Sequence, residues 1–208
     1  MQNNEIDKAL QHLSAKDKTL SRIIKKTPKC NLTTHRNYYR SLLKAIIGQQ
    51  LSVASARAIN SRFISYYNNE PEPEKIINTK EEILRGLGLS FAKIKYVKDL
   101  SSKILNCEVS FKGINKKTDE LIIEELTKVK GVGVWTVHMF LMFTLGRENI
   151  LPVGDLGIKK AIMLNYGLKK IPSEEKVKQI AKKNNWSPYN SVAAWYLWRS
   201  LEMEPESI

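Results

Sequence analysis

Apolar residues recur at helical spacing along almost the whole chain. Leu42, Leu43, Ile46 and Ile47 form one stripe within 36–48, and Val53, Ala56, Ile59, Phe63 and Tyr67 form another after Ser52, so two amphipathic helices are predicted. Thr79 and Glu82 have the spacing of a capping box and open a short helix that stops at Gly86 and Gly88. Ser90 is placed to cap a helix carrying Ile94, Val97, Leu100 and Ile104 on one face, and Thr118 precedes Leu121, Ile122, Glu125 and Leu126. Segments 134–145, 155–166, 173–184 and 189–201 complete the set, with Gly167 and Pro188 as stop and start signals. No period-2 run lies between turn residues, so the chain reads as all-α with about ten helices. The polar stretch 68–75, with Pro71 and Pro73, is predicted to be a loop, and 202–208 a frayed tail.

Composition narrows the class. The 208 residues are 42% hydrophobic and 26% charged, which excludes wholesale disorder and a fibrous architecture. The N-terminus lacks a basic region followed by an apolar run, and no segment approaches the roughly 20 apolar residues that span a bilayer. Cys30 and Cys107 are the only cysteines, too few for a disulfide scaffold, a zinc quartet or a four-thiolate iron-sulfur cluster, and they read as ordinary thiols of a reducing, intracellular compartment. His12, His35 and His138 have no metal-like spacing. The net charge of +13, most concentrated in the first fifty residues, points to a polyanion such as nucleic acid, although a well-solvated Lys-rich protein has the same signature.

Two loops carry candidate chemistry. Residues 126–136, LTKVKGVGVWT, join two predicted helices through Gly131 and Gly133. Two glycines two apart allow a tight turn and a close approach, and the amides opening the next helix suit a phosphate; an ordinary glycine turn has the same pattern. Residues 150–160, ILPVGDLGIKK, place Asp155 after a turn shaped by Pro152 and Gly154, at the start of a helix. The helix dipole and open amides favour an anion there, and by itself Asp155 reads equally as a cap.

Taken together, these segments resemble the helix-hairpin-helix DNA glycosylase superfamily, with its hairpin followed about 20 residues later by a Gly/Pro loop and an aspartate. Residues 45–52, AIIGQQLS, and 186–198, WSPYNSVAAWYLW, are similar to its alkylpurine branch, the 3-methyladenine DNA glycosylases, of the type called 3-methyladenine DNA glycosylase II. The matches run through 42–199 in the family's order, and four motifs in register are far more specific than any one of them.

The resemblance assigns roles residue by residue. Asp155 becomes the catalytic carboxylate, stabilising a cationic sugar and orienting or deprotonating the attacking water. Trp135 and Trp198 become base-pocket aromatics suited to positively charged alkylpurines through cation-π attraction, while Trp186, Tyr189, Trp195 and Tyr196 read as core. Strand-cutting relatives carry a Schiff-base lysine where this chain has Trp135, which implies a monofunctional hydrolase. Gln50 matches the side chain that fills the gap left by a flipped nucleotide; Gln49 is a second candidate or a polar helix end. Some relatives have leucine in place of Gln50. The amides of Gly131, Gly133 and Trp135 are implied to meet a DNA phosphate. Main-chain carbonyls of Thr127, Val129 and Val132 are implied to hold a monovalent cation, Na+ or K+, that bridges to it without taking part in catalysis. Lys128, Lys130, Lys159 and Lys160 are candidate phosphate contacts, against the alternative of solvated lysines.

The expected architecture is a two-lobed helical bundle. One lobe is formed by 1–35 and 168–208. The other is formed by 36–167, with the hairpin at about 119–145, the catalytic loop at 150–156, and Asp155 in the cleft. The expected function is hydrolytic excision of alkylated purines such as 3-methyladenine and 7-methylguanine from double-stranded DNA by base flipping, leaving an abasic site. The expected enzyme is a monomer with no required cofactor, no iron-sulfur cluster and no membrane association, working wherever the host keeps its DNA. Excision of other damaged or mismatched bases, and non-catalytic binding of DNA structure through the hairpin, are the alternatives.

Overall fold

The computed structural model describes residues 3–32 and 34–202. Along the chain run α1 (Asn3–Lys16), α2 (Lys18–Lys26), α3 (Tyr38–Gly48), α4 (Val53–Tyr66), α5 (Pro73–Asn78), α6 (Glu81–Gly86) and α7 (Phe91–Leu105). A 3-10 turn at Ile114–Lys116 leads to α8 (Asp119–Leu126) and α9 (Val134–Phe140); a π turn at Leu141–Leu145 then precedes α10 (Leu156–Asn165), α11 (Glu174–Lys183) and α12 (Asn190–Ser200). No strand occurs among the described residues, and none of their helices is long and apolar enough to cross a membrane. The tail predicted for 202–208 falls, from 203 onward, outside the described residues.

The chain divides into two compact units, one drawn from the described residues of Met1–Thr34 and Leu141–Ile208, the other being His35–Phe140. This division differs from the border expected at 167. Residues 141–167 go with the terminal helices because α10 packs along α12 and Ser191 of α12 holds the loop before α10.

In the first unit α12 is the central rod. Every residue from Ser191 to Leu197 is buried, so this helix is covered on all sides, as its uninterrupted apolar run requires. The expected core residues Trp186, Trp195 and Tyr196 are buried, and Tyr189 is half-buried, edge-on to His12 at 5.3 Å. Burial also pushes the Cys30 thiol up to about 11, in keeping with an inert core thiol. Asp17 joins distant segments. Its Oδ1 caps α2 by accepting from the amides of Thr19 (2.8 Å) and Leu20 (3.1 Å), while Oδ2 accepts from the Tyr166 hydroxyl (2.5 Å) and the Trp186 indole (2.8 Å). A buried carboxylate is tolerable only when its oxygens are satisfied in this way.

In the second unit α3 is the hub, packed on α4, α7 and α9, with Leu42, Leu43, Ile46 and Ile47 all buried. Four local expectations change. The capping box does not form: Lys80 occupies the N-cap of α6, and the Thr79 hydroxyl instead donates to the carbonyl of Lys75 (2.6 Å) and accepts from the Tyr67 hydroxyl (2.9 Å). Within 68–75, Pro73 starts α5, because its fixed φ suits a first helical position. Val53 is 78% exposed, since it opens α4 ahead of the stripe that faces the core. The α-helix expected over 134–145 ends at Phe140, and the wider turn beyond it closes by the Arg147 amide donating to the Leu141 carbonyl (2.9 Å) beside Gly146 (φ 70°).

Candidate functional site

The first unit builds the aspartate loop. Ser191 anchors it: its hydroxyl accepts from the Ile150 amide (3.0 Å) and donates to the Arg147 carbonyl (2.7 Å). The turn closes as the Asp155 amide donates to the Pro152 carbonyl (2.9 Å), which leaves Asp155 as N-cap of α10 with φ −70° and ψ 124°. Asp155 is only 8% exposed. Its Oδ1 accepts from the Ile158 amide at 2.7 Å and from the indole Nε1 of Trp198 at 2.9 Å.

The capping bond alone would make Asp155 an ordinary helix cap. The indole bond is different, because it brings in a side chain 43 residues away and fixes the carboxylate from outside its own helix. Gly157 permits that approach. A Cβ there would lie 3.0 Å from both Asp155 Oδ1 and Trp198 Cδ1, tighter than normal van der Waals contact. Phe143 tilts against the Trp198 ring at 5.8 Å and 32°. Lys159 is drawn to Glu174 (3.7 Å), its side chain 18% exposed, so one expected phosphate contact is already ion-paired.

The second unit builds the hairpin. Thr118 caps α8 through the Leu121 amide (3.3 Å), and Thr127 ends it with its hydroxyl donating to the Ile123 carbonyl (2.7 Å). The Val132 amide then donates to the Val129 carbonyl (3.0 Å) with both side chains buried, so the apolar pair pins the turn from below. Gly131 stands at φ 77°, and a Cβ on it would fall 2.2 Å from the Tyr96 ring, so glycine is required twice over. Gly133 has no such neighbour. Outside the turn, Val134 and Trp135 are 49% and 46% exposed. Lys128 and Lys130 are exposed; Lys130 also lies 3.7 Å from Asp99, whose other oxygen accepts the Lys130 amide (2.8 Å).

The two glutamines separate in role. Gln50 is exposed and takes the left-handed conformation at φ 55°, unusual for a residue with a side chain. Gln49 turns inward, its amide donating to the Gly131 carbonyl (2.8 Å) and to the Thr136 hydroxyl (3.2 Å). Of the expected residues, Asp155 and Trp198 thus meet directly in one unit. Gln49 meets the hairpin in the other, which also contains Trp135, Gln50 and the carbonyls of Thr127, Val129 and Val132. Sequence reasoning did not assign Ser191, Gly157, Phe143 or Tyr96; Ser191 and Gly157 lie inside two of the four motifs that carried the resemblance, the only signal available for them.

Among the described residues no cluster of His, Cys, Asp and Glu could hold a metal ion. His138 is half-buried, and burial lowers its pKa below the usual 6.5, with the Asp119 carboxylate partly opposing.

A family model described as HhH-GPD superfamily base excision DNA repair protein matches residues 43–186. Among curated proteins, the chain is 34% identical to the alkylbase DNA glycosidase-like protein mag2 of Schizosaccharomyces pombe, covering 95% of this chain and 94% of that protein. It is equally 34% identical to DNA-3-methyladenine glycosylase 1 of the same organism, over 95% of this chain and 89% of the relative. Among solved structures it superposes on the Schizosaccharomyces pombe 3-methyladenine DNA glycosylase Mag1 in complex with abasic DNA with a TM-score of 0.86 at 33% identity, covering 95% and 98% of the two chains. With the hairpin, the aspartate loop and this match in agreement, the chain belongs to the HhH-GPD superfamily of base excision DNA repair proteins.

Proposed function

We propose that this protein is a monofunctional DNA glycosylase that hydrolyses the N-glycosidic bond of alkylated purines, 3-methyladenine and 7-methylguanine among them, in double-stranded DNA. The observation that carries the reading is Asp155: a carboxylate almost withdrawn from solvent, seated on a helix start and gripped through one oxygen by a backbone amide and an indole. Such fixation is needed to present negative charge to a sugar that becomes cationic as its bond to the base breaks. Names of relatives at about this identity, as 3-methyladenine glycosylases, support the same substrate class.

The reaction balances simply. An N3- or N7-alkylated purine in the duplex carries a positive charge, so the electron pair of the glycosidic bond leaves with the base and neutralises it. Asp155 stabilises the resulting oxocarbenium-like sugar and accepts the proton of the water that adds to it, leaving an abasic site. Trp135 has no amine, so no Schiff base with the sugar forms and the strand stays intact. Its exposed ring is offered for stacking on the cationic base.

Gln50 is the gap-filling side chain, presented outward by its left-handed backbone. The hairpin turn at Gly131 and Gly133, with the Trp135 amide, Lys128 and Lys130, takes a DNA phosphate. Neutral main-chain carbonyls of Thr127, Val129 and Val132 are the donor type a Na+ or K+ ion accepts, and such an ion would bridge the turn to that phosphate without entering the chemistry. The protein acts as a monomer on DNA inside the cell.

Single-turnover base release separates the readings. Release from methylated duplex, with none from duplexes containing uracil or 8-oxoguanine, is expected. Preference for either of the latter overturns the substrate class, and no release from any duplex overturns the enzyme.

A further inference from the structure

Resting on that reading, we infer that Gln49 is a positioning residue that locks the gap-filling turn to the phosphate-gripping hairpin, so that the two DNA contacts are set as one rigid piece. The observation is the paired hydrogen bond of its side-chain amide. Gly131 contributes a carbonyl, which can only accept, so the Gln49 nitrogen must face it (2.8 Å), and the same nitrogen reaches the Thr136 hydroxyl (3.2 Å). One partner is the hairpin turn itself and the other is a buried residue, 4% exposed, in the helix that follows it.

Both ends of this tie are stiff. Gly131 is fixed by its positive φ and by the Tyr96 ring lying against it, so its carbonyl has a set direction. At the other end, Gln49 is the C-cap of α3, its amide donating to the Ile46 carbonyl (3.3 Å), and the Leu51 amide closes the turn onto the Gly48 carbonyl (3.3 Å). Between them Gln50 is held at φ 55°, a conformation that disfavours a residue with a Cβ and persists only when its surroundings impose it. The side chain of Gln49 ties the turn that carries this strained residue to Gly131, 82 positions beyond Gln49. A rotation of the α3–α4 turn relative to the hairpin would break both bonds.

The test uses equilibrium binding of the full chain to two duplexes, one undamaged and one carrying a tetrahydrofuran abasic analogue. Gln49→Met keeps the length of the side chain but removes both donors, and it is expected to reduce the preference for abasic over undamaged DNA by about tenfold. Thr136→Val removes one acceptor and should reduce the preference by roughly threefold. Gln50→Ala should lower the preference in the parent protein yet remove little more in the Gln49→Met background, because Gln49 acts through Gln50. A merely structural residue would instead weaken binding to both duplexes in proportion to a lower melting temperature. An unchanged preference in Gln49→Met, or full additivity with Gln50→Ala, overturns the inference. A parent protein without preference for the abasic duplex overturns the DNA-lesion reading on which it rests.

Discussion

Trp198→Phe is the perturbation that most sharply divides two roles for one ring. The resemblance casts Trp198 as a stacking surface for the base, whereas its indole N–H lies 2.9 Å from Asp155 Oδ1. Phenylalanine keeps an aromatic ring beside Phe143 and deletes that donor. The Ile158 amide, which belongs to the backbone, still holds the same oxygen at 2.7 Å, so the carboxylate keeps its cap and loses its external anchor. A hydrogen bond to a charged acceptor contributes about 1.5–3 kcal/mol, which at about 1.4 kcal/mol per factor of ten corresponds to a loss of roughly 10- to 150-fold in the cleavage step. The assay is single-turnover release of 7-methylguanine with enzyme in excess, yielding both the maximal rate and the half-saturating enzyme concentration. Orientation of Asp155 predicts that the maximal rate falls while half-saturation stays within about threefold. Gly157→Ala should slow the same step by about tenfold with Trp198 intact, because its Cβ would separate the indole from the carboxylate. A Trp198→Phe enzyme with an unchanged maximal rate, or one changed only in half-saturation, refutes the orientation argument.

Two further variants probe the framework. Gly131→Ala should destabilise the fold by about 1–2 kcal/mol from the left-handed backbone alone, and by more through overlap with the Tyr96 ring; Tyr96→Ala in the same chain should restore the second part, and urea midpoints equal to the parent would contradict both. His138 titrates against folding: burial lowers its folded-state pKa below 6.5, so the unfolded chain binds the proton more readily and stability is lost as pH falls from 6.5 through the folded value. Melting temperatures between pH 7 and pH 5 should therefore fall less in His138→Gln than in the parent, and parallel slopes would remove His138 from the account.

Legibility in the sequence followed the range of each interaction. The caps at Ser90, Thr118 and Asp155 form as their spacing implies, because each bond spans three residues and depends on little else. Thr79 shows the limit of that logic: a capping spacing was present, but Tyr67 and the Lys75 carbonyl compete for the hydroxyl and win. Asp17 carried no visible signal, since its Tyr166 and Trp186 partners lie 149 and 169 residues away. The same holds at the candidate site. Glycine spacing marked Gly131, yet one of the two reasons alanine is excluded there is the Tyr96 ring, which no local pattern points to. Motif matching named Trp198 and Gln49 as site residues, while their hydrogen bonds, and hence their roles as orienting groups, became readable only from the fold.

Asp155→Asn tests the central claim most directly, because asparagine is as good a helix cap and keeps an oxygen for both the Ile158 amide and the Trp198 indole, so the negative charge is removed while these two bonds can persist. In single-turnover release of alkylated purine the account predicts a rate loss on the order of 100-fold or more, with binding to an abasic-analogue duplex retained. Base release by Asp155→Asn at close to the parent rate would contradict it.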